Sequence, residues 1–182
     1  MVFEEKEITL KNGAKAVLKT PQVCDAQKML KFIKTACGET EFLARYPEEW
    51  ECDVEKEVKW IENCRNSPSS LMIACYIDGE IAGNCEINFR GGMKTRHRSV
   101  IAIALISKYW NLGIGSHMFE EMLAEAASRE GVEMVELGFI EGNDRARRLY
   151  EKFGFQVVSK TPNAYKLRDG SLVDECYMQK YL

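Results

Sequence analysis

The sequence predicts a mixed α/β (α+β) fold, with a mostly antiparallel sheet of about six to seven strands, helices on both faces and a central strand-helix-strand unit. Three observations predict it. Val100 to Ile106 is an unbroken apolar run, the pattern of a strand covered on both faces, as parallel strands usually are. A short loop then reaches Gly113 and Gly115 just as helical spacing starts at Ile114, and a second apolar strand, Met134 to Ile140, follows that helix. Two strands separated by a helix run parallel. The segments on either side are joined by tight-turn residues, the signature of antiparallel pairs. With 182 residues, and no Pro/Gly/Ser-rich linker or repeat, residues 1–182 read as one domain.

The chain opens on a hairpin. Glu7 to Leu10 and Ala14 to Leu18 flank Lys11-Asn12-Gly13, where Asn-Gly supplies the positive backbone angles of a tight turn. Pro21 ends the second strand. Ala26, Met29, Leu30 and Ile33 recur at helical spacing until Gly38, and a second helical region runs roughly from Glu48 to Cys64. Leu71 to Tyr76 and Ile81 to Phe89 form strands joined at Asp78-Gly79. The latter strand puts Asn84, Glu86 and Asn88 on one face and Cys85, Ile87 and Phe89 on the other. Lys94 to Arg98 is a short basic patch before the central strand. The helix after Gly113 continues to about Glu130. Asn143 begins another, for which Gly154 is the natural stop. Phe155 to Ser159 and Asp174 to Tyr181 read as an antiparallel pair turning near Asp169-Gly170.

Composition narrows the function. A hydrophobic fraction of 46%, 29% charged residues and a net charge of -3 describe a soluble chain with no global attraction for nucleic acid. The apolar runs are too short for a bilayer span, and Met1-Val2-Phe3-Glu4-Glu5 is not a cationic signal-peptide head, so a cytoplasmic protein without a membrane partner is expected. The seven cysteines are odd in number and include no C-x-x-C pair. His97 and His117 are the only histidines, without a ligand-like grouping, so reduced thiols and no metal are expected. Glu39 to Glu62 carries nine carboxylates against Arg45, Lys56 and Lys59, which reads on composition as a solvated helix face.

The glycines at Gly113 and Gly115 let the backbone approach a ligand, and the free amides of the helix start favour an anion, phosphate foremost. A triphosphate loop needs Gly-Lys-Ser/Thr, but Gly115 is followed by Ser116 and His117. A dinucleotide fingerprint needs a third glycine where Met118 stands. The stretch Trp110-Asn111-Leu112-Gly113-Ile114-Gly115 resembles motif A of the GCN5-related N-acetyltransferases (GNAT), Gln/Arg-x-x-Gly-x-Gly/Ala, with Trp110 in the leading position. Asn143-Asp144-Arg145-Ala146-Arg147-Arg148-Leu149-Tyr150-Glu151-Lys152-Phe153-Gly154-Phe155 is similar to motif B of that family, Asn-x-x-Ala-x-x-Leu-Tyr-x-x-x-Gly-Phe, at every named position. The resemblance runs from near Lys6 to Leu182.

The resemblance implies a GNAT-like sheet with a central β-α-β acyl-CoA unit, and acetyl-CoA as cosubstrate without a metal. It places the pyrophosphate on the amides of Trp110, Asn111, Leu112, Gly113, Ile114 and Gly115 and on the Ser116 hydroxyl, and the thioester carbonyl at an amide near Leu105. Asn143, a good helix N-cap on residue type alone, matches the Asn that bonds the pantetheine arm. Arg148 and Lys152 are either ribose-phosphate contacts or exposed helix charges. Tyr150, at core-like spacing with Ala146 and Phe153, matches the family's general acid. The glutamate that often serves as base falls at Val100, which leaves Glu86, Glu141 or a water chain to a carboxylate. The implied function is acetyl transfer to a primary amine, a small cationic one if the acidic segment lines the acceptor cleft, by direct attack in a ternary complex. A protein N-terminus or lysine as acceptor, or an acetyl-CoA sensor without transfer, are the alternatives, and a homodimer is left open.

Overall fold

The computed structural model describes residues 1–51 and 53–182. Cys52, one of the seven cysteines and part of the predicted second helix, lies outside the described residues. The strands are β1 (Lys6–Thr9), β2 (Lys15–Lys19), β3 (Ser70–Ile77), β4 (Glu80–Phe89), β5 (Arg98–Leu105), β6 (Met134–Ile140), β7 (Gln156–Lys166) and β8 (Leu172–Tyr181). They form one sheet in the order β1-β2-β3-β4-β5-β6-β8-β7. Eight strands take part, beyond the expected six to seven, because the hairpins near both ends of the chain join the same ladder. Among the described residues only β5 and β6 pair in parallel. This is the α/β, mostly antiparallel architecture the sequence predicts.

Helices α1 (Ala26–Gly38) and α2 (Val54–Asn66) cover one face; α3 (Ile114–Ser128) and α4 (Asp144–Lys152) cover the other. Strand alternation divides the core between them. From β3, Leu71, Ile73 and Cys75 join Phe119, Met122 and Tyr150 in one cluster. Met72, Ala74 and Tyr76 join Phe32, Ala36 and Ile61 in the other. Fully burying a large apolar side chain such as Phe119 stabilises by about 1.5–3 kcal/mol, so both helical layers are firmly held. The predicted helix from Glu48 is shorter in fact. Pro47–Glu49 is a single 3-10 turn, and α2 starts only where the Asp53 carboxylate accepts from the Lys56 amide at 2.8 Å, an N-cap that resets the helix start.

Cys37, Cys64, Cys75, Cys85 and Cys176 are buried free thiols, and Cys24 is exposed. Burial pushes Cys64 up to about 11 and Cys75 up to about 12, so both stay neutral and unreactive. Among the described residues no group of three His, Cys, Asp or Glu is placed to hold a metal ion, and no helix is long and apolar enough to cross a membrane.

One departure from regular pairing positions the site. β5 and β6 are in register only at Arg98↔Met134, Ser99↔Val135 and Val100↔Glu136, although β5 continues to Leu105 and β6 to Ile140. The pairing is pinned at its last rung. The Glu136 carboxylate accepts from Arg98 at 2.9 and 2.5 Å and from Gln179 at 2.9 Å. Beyond that rung the two strands part.

Candidate active site

The splay opens a cleft of about 570 Å³ bordered by β5, β6, α4 and the start of α3. Backbone alternation decides what β5 presents to it. The Arg90 amide donates to Arg98 O, and the Ile106 amide donates to Ala82 O. With the β4–β5 register, every second residue between them, including Ala102 and Ala104, is therefore bonded to β4. Ile103 and Leu105 point their N–H groups the other way, to the side that β6 has left. These are donors aimed into a cleft, the requirement for polarising a carbonyl. On the β6 side Gly138 lines the cleft, and a Cβ there would lie 3.0 Å from Oε1 at the flexible end of Glu175.

At the mouth, the loop before α3 takes two left-handed residues, Asn111 at φ 63° and Gly113 at φ 94°. The second needs glycine. The Lys11 amide bonds Leu112 O at 3.0 Å, so the first hairpin clamps this loop. Leu112 packs its side chain on the core. The cleft wall is formed instead by Trp110, Asn111, Gly113, Ile114, Gly115 and Ser116. Gly115 serves packing as well as access, since a Cβ there would meet Leu149 at 3.0 Å. Ser116 Oγ accepts from Lys152 Nζ at 3.0 Å. Trp110 has a structural use of its own: Nε1 donates to Leu105 O at 2.9 Å, and the Arg145 guanidinium lies 3.1 Å from its ring centroid.

Four cations, Lys11, Arg145, Arg148 and Lys152, border this cleft against one carboxylate, Glu175. Burial, with Arg148 close by, holds Arg145 below the usual arginine range, while Tyr150 acts in the opposite sense. A polyanion in the cleft would relieve that crowding. Lys11 and Arg145 are contributors that sequence reasoning missed. The signal for Arg145 was its spacing with Arg148 and Lys152, three and seven positions on, which is one face of α4. Arg147 points elsewhere and pairs with Glu151 at 2.8 Å.

Tyr150 is buried at 6% exposure against Phe119, Phe139 and Phe155, yet it borders the cleft and its hydroxyl has no hydrogen-bond partner among the described residues. It is at once a core ring and an unengaged donor. Burial, aided by Cys85 and opposed by Arg145, holds the phenol well above its usual range, so it stays protonated. Asn143 is the N-cap of α4, with Oδ1 accepting from the Ala146 amide at 3.2 Å, and it also borders the cleft.

A second cleft, of about 740 Å³, opens on the opposite side of β5. The two share Leu43, Ala102, Ile103 and Ala104. Cross-strand pairing puts Glu86 beside Ala102 and Asn84 beside Ala104, and the small alanines leave the floor open. Burial raises the Glu86 carboxyl above its ordinary range, moderated by Asn88. The two predicted substitutes for the base part company here. Glu86 lines the second cleft, whereas Glu141 lines neither and is ion-paired with Lys160 at 2.6 Å. Part of the acidic segment is also engaged: Glu39 accepts from the Ser107 amide, Glu48 pairs with Arg168, and Asp53 caps α2. Glu49, Glu51 and Glu57 reach the second cleft, alongside Arg45 and Lys56.

Comparison with known proteins agrees with this geometry. The family model described as "Acetyltransferase (GNAT) family" matches residues 38–155. L-amino acid N-acetyltransferase AaaT of Escherichia coli (strain K12) is 28% identical over 121 residues, covering 66% of this chain and 74% of that protein. The crystal structure of a GNAT-family acetyltransferase from Streptococcus pneumoniae has a TM-score of 0.85 at 22% identity, over 92% of this chain and 99% of that one. yncA of Salmonella typhimurium, solved with its cofactor acetyl-CoA, has a TM-score of 0.77 at 17% identity, over 92% and 94% of the two chains. The match across residues 38–155, which takes in the glycine turn opening α3, shows that the chain belongs to the GNAT family of acetyltransferases.

Proposed function

We propose that this acetyltransferase moves the acetyl group of acetyl-CoA to a primary amine by direct attack in a ternary complex. The observation that carries the reading is the position of β5 between two clefts. One holds unpaired amides, a free phenol and a cationic rim; the other holds Glu86. Donor and acceptor can then meet across a single strand at Ala102 to Ala104.

In this reading the rim of Lys11, Arg145, Arg148 and Lys152, with the amides from Trp110 to Gly115 and the Ser116 hydroxyl, takes the phosphates. Asn143 meets the pantetheine arm. The N–H of Leu105, with that of Ile103 on the same edge, receives the thioester oxygen, so charge developing there finds a fixed donor. An alkyl amine is protonated by more than about three pH units at neutrality, so a base is required. Glu86 supplies it: its carboxylate, made more basic by burial, takes one ammonium proton, the neutral nitrogen forms the new C–N bond, and the C–S bond breaks. Tyr150 gives its O–H proton to the departing sulfur, and the second proton shed by the nitrogen as the amide forms returns to the Tyr150 oxygen through water at the mouth of the cleft. The reading has Glu86 fill the role of the glutamate missing at Val100, from the neighbouring strand. Glu141, committed to Lys160, takes no part.

The test is mass-spectrometric detection of acetylated product with acetyl-CoA and a pooled panel of amines, amino acids and short peptides. An N-acetylated small amine is expected. Acetyl-CoA binding without any product from the panel would overturn the reading.

A further inference from the structure

One polar group in the second cleft has no role in the mechanism above. Asn84 Oδ1 is buried and accepts no hydrogen bond from the described residues. Register gives the reason. Its cross-strand neighbours are Ala74 on β3 and Ala104 on β5, and neither side chain can donate. A buried carbonyl oxygen is seldom left unpaired, so a donor carried in by a bound molecule is its natural complement. Glu86 lies two residues along the same face, about 6.6 Å away by strand rise, between Met72 and Ala102. The floor therefore offers two acceptors side by side, Asn84 Oδ1 with no donor opposite it and Glu86, which takes a bond from Asn88 and as a carboxylate keeps further lone pairs for an amine.

The walls have a different character. Met29, Ile33, Trp50 and Trp60 line the cleft. Trp50 is fixed by its Nε1 donating to Cys37 Sγ at 3.3 Å, with the Arg45 guanidinium 5.0 Å from its ring centroid. Trp60 is 38% exposed, a large apolar surface left uncovered. Charges in the cleft are of both signs, Arg45 and Lys56 against Glu49, Glu51, Glu57 and the floor's Glu86, so no single-sign wall selects a polycation. A cleft of about 740 Å³ also has room for far more than an ammonium group.

We propose that the second cleft takes primary amines carried on an apolar body, aromatic or branched aliphatic, with Asn84 Oδ1 accepting an N–H of the amine and the body packing against Trp50 and Trp60. This rests on the acetyl-transfer reading and narrows its acceptor class. It also replaces the small cationic amine suggested by the acidic segment, of whose carboxylates Glu39, Glu48 and Asp53 are engaged in capping and ion pairing.

The experiment compares kcat/KM, with product followed by mass, for 2-phenylethylamine and isopentylamine against putrescine and spermidine at saturating acetyl-CoA. The apolar amines should be favoured by about tenfold or more, the usual scale for discrimination by an apolar pocket. Asn84→Leu, similar in shape but without the oxygen, should lose about tenfold in kcat/KM for 2-phenylethylamine while binding acetyl-CoA unchanged. Trp60→Ala, at a partly exposed position that tolerates change, should raise KM for 2-phenylethylamine and leave that for ethylamine alone. Preference for the polyamines, or an Asn84→Leu enzyme of unchanged kcat/KM, would overturn the inference and leave amine acetylation standing. Acetyl-CoA binding with no amine acetylated at all would remove both.

Discussion

Replacing Tyr150 by Phe removes one hydroxyl from a ring packed at 5.4 Å from Phe119, 5.7 Å from Phe139 and 6.4 Å from Phe155, measured between centroids. That hydroxyl has no partner among the described residues, so the substitution leaves no buried group orphaned. Stability should change by no more than about 0.5 kcal/mol, the usual range for changes away from packed or bonded features. Catalysis should respond differently. A hydrogen bond to a charged acceptor is worth about 1.5–3 kcal/mol, and with about 1.36 kcal/mol per decade its loss at the leaving thiolate amounts to roughly 10- to 150-fold in kcat. KM for acetyl-CoA should hardly move, because the interaction develops as the sulfur leaves. Since burial holds the phenol above its usual range, the wild-type rate should show no alkaline fall from this group below about pH 10. Thermal unfolding alongside steady-state kinetics with the best amine substrate makes the test. A Tyr150→Phe enzyme with kcat within about twofold of wild type would refute the general-acid role and leave Tyr150 as a core ring.

Glu86→Gln should lower kcat and abolish the acidic limb of the pH profile, because a base works only once its proton has left. The same change should raise the melting temperature at neutral pH. Burial raises the folded-state pKa of Glu86, so its stabilising contribution is complete below the unfolded value and is lost as pH rises through the folded one. A neutral amide escapes that loss, and a lowered melting temperature with an intact pH profile would count against both statements. Gly113→Ala forces a Cβ into a left-handed conformation at φ 94°, so it should cost about 1–2 kcal/mol of stability and weaken acetyl-CoA binding; calorimetry checks both. The double change Arg148→Ala/Lys152→Ala should weaken CoA binding about three- to thirtyfold and leave 3′-dephospho-CoA nearly unaffected, as isothermal titration would report. Equal losses for both ligands would move these charges off the ribose phosphate.

The parts of the chain legible from sequence are those settled within a few residues of backbone. The apolar run of β5, the glycine turn opening α3 and the Asn143 cap of α4 depend on steric and hydrogen-bonding rules local to each stretch, and all three stand where the sequence puts them. The helix expected from Glu48 failed through local chemistry as well, since Pro47 and the Asp53 cap break it into a turn and a later start.

The rest was settled between segments distant in sequence. Nothing local to β5 or β6 tells that their pairing stops at Val100↔Glu136, the rung at which Glu136 binds Arg98 and Gln179. Nothing in the spelling of Glu86 and Glu141 separates them. The fold buries one between Met72 and Ala102 and spends the other on Lys160. Likewise Asn84 is an ordinary strand residue until the register sets Ala74 and Ala104 on either side of it. A side chain's partners come from strand register and helix packing over the whole chain, and those are cooperative properties that no short window of sequence contains.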